Sequence, residues 1–255
     1  VMQQAVGVFF APRRAAEEIL ASIKQAPGVS MTGLMSHLAC ADSSDPEPTL
    51  AQLGRFEALV RVARACGLAP RHCHVANSAG AIAFEGSRLD AVRPGIALYG
   101  VSPFETATER VASITTDLRP VMRVRSEIVA LRPLNDGERV GYGHTWEARG
   151  ERQIATIPMG YADGLSRGLS NRGHVVIRGR RAPIVGIVSM DLTTVDVTDI
   201  PGAALGDEVV VLGTQDGPLG SAQVTPEEIA QILGTIPWEV VTSISRRVPR
   251  FYREP

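Results

Sequence analysis

RHCHVANS, residues 71–78, reads as a strand that gives way to a short helix and then to AVRPGIALYG, residues 91–100. Before it lies TLAQLGRFEALVRVARACG, residues 49–67, a strong helix pattern. Thr49 and Gln52 read there as a capping box, and Gly67 as the C-terminal stop. Earlier still, VSMTGLMSHLA, residues 29–39, reads as a buried strand ending near His37. Ala16, Ile19, Leu20 and Ile23 share one helical face, and Pro27 and Gly28 stop that helix. Strands alternating with helices predict a parallel sheet. In a β/α barrel, chemistry collects where strands end. Here those ends carry His37, Asn77-Ser78 and Arg93-Pro94-Gly95.

From about Leu118 the texture changes. VMRVRSEIVALRPL (121–134), RQIATIPMG (152–160), GHVVIRG (173–179), APIVGIVSM (182–190), TTVDVTD (193–199) and DEVVVLG (207–213) are short strands broken by glycines and charged turns. This predicts an all-β domain. One late helix is expected at TPEEIAQIL, with Thr225 as cap, Pro226 in the first turn and Glu228 completing the box. No internal repeat or low-complexity tract is visible. The expected boundary lies near residues 105 to 117, between a domain over residues 1–110 and a second over residues 111–255.

The chain has 255 residues, 44% of them apolar, enough for a packed core. A net charge of −1 gives no general attraction to nucleic acid or an anionic membrane. No apolar run approaches the roughly 20 residues of a membrane-spanning helix. Phe9 and Phe10 end a short apolar patch ahead of a helix, which is not a signal-peptide pattern. Cys40, Cys66 and Cys73 are odd in number and lack metal-ligand spacing, so reduced, mostly buried thiols and a cytoplasmic setting are expected. His72 and His74 share a strand face, but two ligands without a carboxylate or thiolate are too few, and no metal is expected. The chain opens on Val1, which suggests a fragment.

VGYGHTW, residues 140–146, sets Tyr142 between two glycines. Such a pair permits a sharp backbone turn. Taken alone, the pattern fits either a bend with a half-buried tyrosine or a phenol presented to a ligand.

Seven motifs stand in order: MSHLACAD (35–42), HVANSAGA (74–81), VRPGIALYG (92–100), VGYGHTW (140–146), IPMGYADGLSR (157–167), VSMDLTTVD (188–196) and RRVPRFY (246–252). Together they resemble the alanine racemases, pyridoxal-phosphate enzymes of the barrel-plus-β-domain type, from about Gly33 to Tyr252. The resemblance implies an α/β plus all-β chain: the second half of a TIM-type (β/α) barrel, residues 1–110, then the family's C-terminal β-domain, residues 111–255.

It also implies roles. The cofactor phosphate needs an anion cradle, and Ser78 with the amides of Gly95 and Ile96 suits it. Asn77 is a cofactor-binding position beside Ser78. Arg93 would face the pyridine nitrogen. A guanidinium does not act as a proton donor, so the ring nitrogen stays largely unprotonated and side reactions are restrained. His37 would lie along the ring and reach towards Arg93. Racemisation needs two acid–base groups flanking Cα, and the resemblance makes Tyr142 one of them. A phenol's ordinary pKa of about 10 is too high for an efficient base at neutral pH. Positive charge from an Arg93–His37 pair is expected to assist it. Tyr161, Met190 and Asp191 would sit at the substrate, and Asp42 and Arg167 in its access corridor. In the family the tyrosine acts in the barrel of a second subunit, so a homodimer with a shared active site is expected.

Three departures stand out. The other base in the family is the lysine that binds the cofactor covalently. Lys24 is the only lysine here; it lies on the polar side of a helix, and nothing around it matches that motif. Trp238 stands where the family usually has a tyrosine reaching the phosphate, and Ile187 where a corridor arginine is common. The function implied is interconversion of L- and D-alanine, supplying D-alanine for peptidoglycan. A racemase of another small amino acid such as serine and a non-catalytic remnant that only binds or dimerises are the alternatives. The missing lysine favours the remnant for this chain alone.

Overall fold

The computed structural model describes residues 13–104 and 117–252, with side chains from residue 16 onward. The expected boundary zone lies, but for Asp117, outside the described residues, as does the opening VMQQAVGVFF. The chain divides into two compact units, Val1–Arg119 and Pro120–Pro255. Among the described residues no helix is long and apolar enough to cross a membrane.

In the first unit, α1 (Arg13–Gln25), β1 (Gly33–Met35), α2 (Glu47–Ala65), β2 (His72–His74) and α3 (Ser78–Ala83) alternate as expected. β1 and β2 pair in parallel, Gly33 opposite His72 and Met35 opposite His74. Both strands are shorter than the apolar runs that announced them. Leu53 and Phe56 of α2 pack with Leu38, Cys73 and Val75 in one buried cluster, each large apolar side chain worth roughly 1.5–3 kcal/mol on burial.

The expected capping box does not form. α2 starts three residues earlier, at Glu47 behind Pro46, with no side-chain cap among the described residues. Thr49 is therefore buried inside the helix, its hydroxyl without a partner among the described residues. Gln52 turns away instead, donating to His37 O at 2.5 Å and accepting from Ala39 N at 3.1 Å. The stop is as expected: Gly67, at φ 78°, closes the helix with its N–H on Arg64 O. All three cysteines are free, but only Cys73 is buried. Cys40 is exposed because it sits in the turn after β1, and Cys66 is half-buried at the end of α2.

The second unit is antiparallel. β4 (Ala130–Leu134), β7 (Arg152–Ile157) and β10 (Thr193–Asp196) form a three-stranded sheet with β7 in the centre. β12 (Gly220–Val224), β11 (Glu208–Gly217), β8 (His174–Ile177) and β9 (Arg180–Pro183) form a second sheet, and β3 (Val124–Glu127) pairs with β11. β5 (Arg139–Val140) and β6 (Trp146–Glu147) make a separate hairpin. Alternation explains the core: Val195, Ala155, Val176 and Val209 are fully buried within it.

α4 (Pro226–Leu233) begins as read, with Thr225 accepting from Glu228 N at 3.2 Å. Its box is half made, because the Glu228 carboxylate pairs with Arg181 instead. A further helix, α5 (Pro237–Ser243), follows where none was expected.

Candidate active site

The first unit gathers its polar groups where β1 and β2 end. Backbone bonds set the frame: Ser36 N donates to His74 O at 3.2 Å and Arg93 N to Ala76 O at 2.9 Å. The Arg93 side chain is then held at three points. Nη2 donates to Ser36 O at 2.6 Å, Nη1 bonds His74 Nδ1, and His37 Nδ1 stands 3.5 Å from Nη2. A guanidinium has no acceptor, so His74 must offer the lone pair of Nδ1, with its proton on Nε2. Burial, then Arg93 and His72, push His74 below its ordinary value, which favours that neutral form. Burial also lowers Arg93, from a value so high that it stays cationic.

Beside this lies a second cluster. Ser78, 6% exposed at the start of α3, accepts through Oγ from Gly95 N at 2.8 Å and Ala97 N at 3.3 Å. The amides meeting Ser78 are those of Gly95 and Ala97. Ile96 begins a 3₁₀ turn, Ile96–Tyr99, that swings the Ala97 N–H round. The space beside Gly95 is open among the described residues: a Cβ built there meets none of their atoms within 4 Å. Asn77 is committed to the scaffold, accepting from Gly80 N at 2.9 Å as the cap of α3 and donating to Leu38 O at 3.2 Å. Asp42 is exposed on the turn beyond β1.

The donor set fits a phosphorylated pyridine. It combines a hydroxyl that accepts two amides and keeps its own proton to give, open backbone at Gly95, and a fixed guanidinium. His74 was missed as a partner of Arg93. The two are 19 positions apart, and HCH taken alone suggested only a weak metal pair. Lys24 is exposed on α1.

The second unit presents its candidates on loops. Tyr142 opens a 3₁₀ turn, Tyr142–His144, between β5 and β6, and is 73% exposed. Gly141 (φ 75°), Gly143 (φ 68°) and His144 (φ 50°) all take the left-handed conformation, so the paired glycines are needed for the turn itself. Tyr161 and Met190 are also exposed and lie on loops bonded to each other: Tyr161 N donates to Ser189 O at 2.9 Å and Ala162 N to Met190 O at 3.0 Å. Arg247 ties the same loops, Nε on Asp163 Oδ1 at 2.6 Å and Nη2 on Asp191 Oδ1 at 2.5 Å. Its hydrogen bond holds Asp163 below the usual carboxylate range. Arg167 is exposed, Ile187 half-buried, and Trp238 half-buried on α5.

Comparison with known proteins gives the family. Residues 121–252 match the sequence model of the alanine racemase C-terminal domain, and residues 6–103 that of the alanine racemase N-terminal domain. The alanine racemase of Sorangium cellulosum is 58% identical over 239 residues, 94% of this chain and 61% of the relative. That of Geobacter sulfurreducens is 42% identical over 248 residues, 96% of this chain and 63% of the relative. Among solved structures, alanine racemase from Bacillus anthracis with bound L-Ala-P matches with a TM-score of 0.85 at 31% identity, over 96% of this chain and 61% of that one. The enzyme from Streptomyces coelicolor A3(2) matches at 0.84 and 37%, over 95% and 62%. The chain thus spans less than two thirds of the length of these relatives. With the two domain models matched in order and the fold shared, part of a β/α barrel followed by the C-terminal β-domain, the chain belongs to the alanine racemase family.

Proposed function

We propose that this chain is the part of a pyridoxal-phosphate-dependent alanine racemase that supplies the cofactor's ring and phosphate contacts and one of two bases. The observation that carries the reading is the three-point clamp on Arg93 beside the Ser78–Gly95–Ala97 cluster. When bound, pyridoxal phosphate supplies an electron-withdrawing ring that acidifies the substrate Cα proton. Ser78 and the Gly95 and Ile96 backbone would hold its phosphate, with Asn77 capping the helix that carries Ser78 and Trp238 standing where the family has a tyrosine. Arg93, kept in place by His74, Ser36 and His37, would donate a hydrogen bond to the ring nitrogen without giving up a proton. The ring therefore stays a restrained electron sink.

Tyr142 exchanges the proton on one face of Cα, as general base in one direction and general acid in the other. Tyr161, Met190 and Asp191 orient the substrate, the Met190–Asp191 backbone towards its carboxylate. Residues 1–110 form the barrel part and residues 111–255 the β-domain, with the active unit a homodimer whose sites combine the two from different subunits. The exposure of Lys24 on its helix supports reading it as a solvated residue rather than the cofactor lysine. The product, D-alanine, serves peptidoglycan synthesis.

The direct test assays the full-length protein for interconversion of L- and D-alanine beside L- and D-serine. Faster turnover of alanine supports the reading. Faster turnover of serine moves the assignment to a serine racemase, and turnover of neither overturns it.

A further inference from the structure

The Tyr142 turn has three left-handed residues and is bracketed by strands of two residues each. Within the turn the backbone bond is long, His144 N to Gly141 O at 3.4 Å, while the hairpin below it is held by Ala148 N on Glu138 O at 2.8 Å and by the Arg139–Glu147 pair. A side chain from outside fastens the far end of the turn. Asn171 donates through Nδ2 to Thr145 Oγ1 at 3.0 Å, at the end of the turn, and accepts through Oδ1 from Gly186 N at 2.6 Å. Gly186 belongs to the segment packed against the start of the turn. A Cβ on Gly186 would come within 3.0 Å of Val140 O, and one on Gly141 within 3.3 Å of Ile187 N. The carboxamide therefore fastens the far end of the loop to the wall against which the near end rests.

The wall itself is firm. Val188 is fully buried and donates to Ser170 Oγ at 3.0 Å, and Ile184 N donates to Gly173 O at 2.9 Å. Asn171 stands at φ 58°, a left-handed conformation that asparagine tolerates better than most residues. Its backbone is aimed so that one carboxamide spans both partners. Ser170 and Asn171 thus form a bracket whose exposed arm ends at the Tyr142 turn.

We infer that Asn171 is a positioning residue for Tyr142, acting through Thr145 and Gly186. The inference rests on the proposed role of Tyr142 in proton transfer, and its test separates the two.

The first measurement needs no cofactor. Asn171→Gly keeps the left-handed backbone freely and removes only the carboxamide. In hydrogen–deuterium exchange, the peptide spanning Tyr142–Trp146 should exchange about tenfold faster, the order expected for one lost hydrogen bond, while β7 and β11 keep their protection. Asn171→Asp should stay near the parent, because its carboxylate still accepts from Gly186 and the Thr145 hydroxyl can turn to donate. Unchanged exchange around Tyr142 in Asn171→Gly overturns the inference. If Asn171→Gly loosens the whole unit, Thr145→Val decides. It cuts only the loop end of the strut and should speed exchange in that peptide alone, and no change there is again contrary.

The second measurement uses the pyridoxal-phosphate-loaded full-length protein. Asn171→Gly should lower kcat about tenfold or more, as misplacement of a reacting group does, and should do nothing further in a Tyr142→Phe background. An equal loss in both backgrounds means that Asn171 only supports the fold, and overturns the inference. A Tyr142→Phe protein with the parent's rate sinks the proposed function instead, leaving the exchange experiment to judge the strut.

Discussion

His74 holds Arg93 through Nδ1, and only a neutral ring can do so, since Arg93 has no acceptor to offer. The pair joins the last residue of β2 to the segment that leads into the Ile96–Tyr99 turn. His74→Leu would leave one guanidinium edge without its acceptor in a half-buried place. A hydrogen bond to a charged group is worth about 1.5–3 kcal/mol, so racemase kcat in the full-length protein should drop by roughly tenfold or more. His74→Asn offers a carbonyl oxygen and should recover part of that loss. Steady-state kinetics of the two variants side by side checks the expectation.

His174 is a residue of the β-domain whose titration is linked to folding. Its Nδ1 is buried without a partner among the described residues, and burial, then Arg181, hold its pKa below 6.5, with Glu228 opposing. A histidine that is neutral when folded and protonates more readily when unfolded stabilises the fold above pH 6.5. That stability falls as pH drops from 6.5 towards the folded value. His174→Phe should flatten the decline. Urea midpoints at pH 7.5 and pH 5.5 should differ less in the variant than in the parent.

Thr49 is buried, its hydroxyl unpaired among the described residues. Thr49→Val keeps the branched shape and removes that group. Stability should rise by about 1 kcal/mol, read as a higher urea midpoint with an unchanged slope.

Much of the fold was legible because periodicity carries it. Alternating strand and helix marked the first unit, and period-two apolar runs marked β7, β8 and β11. Local pattern misled where long-range bonds decided. Thr49 and Gln52 had capping-box spacing, but His37 O and Ala39 N claim Gln52, and α2 starts behind Pro46. α5 went unread because PWEVVTS carries β-branched and aromatic residues; Pro237 in its first turn was the available signal. At the candidate site the individual residues stood out in the sequence, but their bonds did not. His74 with Arg93, and Asn171 with Thr145 and Gly186, join positions far apart in the chain.

Gly160 lies where the Tyr161 turn meets the Ser189–Met190 backbone. A Cβ there would overlap the carbonyl oxygens of Ser189 and Met190. Gly160→Ala should destabilise the β-domain by about 1–3 kcal/mol, the usual cost of forcing bulk into packed structure. Gly54→Ala, in the exposed middle of α2 with nothing within 4 Å, should instead stabilise by about 0.5–1 kcal/mol. Urea unfolding of both variants gives the contrast, and equal signs would contradict it.

Tyr142→Phe in the full-length, pyridoxal-phosphate-loaded protein is the decisive measurement, read by deuterium exchange at Cα from each enantiomer of alanine. The substitution keeps the ring and its glycine setting and deletes only the ionisable oxygen, while the proposed cofactor contacts, Ser78, Arg93 and the Gly95 backbone, are untouched. Cofactor absorbance should persist. Racemisation should fall by roughly 10²–10⁴-fold, the range for a lost general base, with exchange from L-alanine impaired most. A variant that exchanges L-alanine as fast as the parent would make Tyr142 only the tip of a tight hairpin.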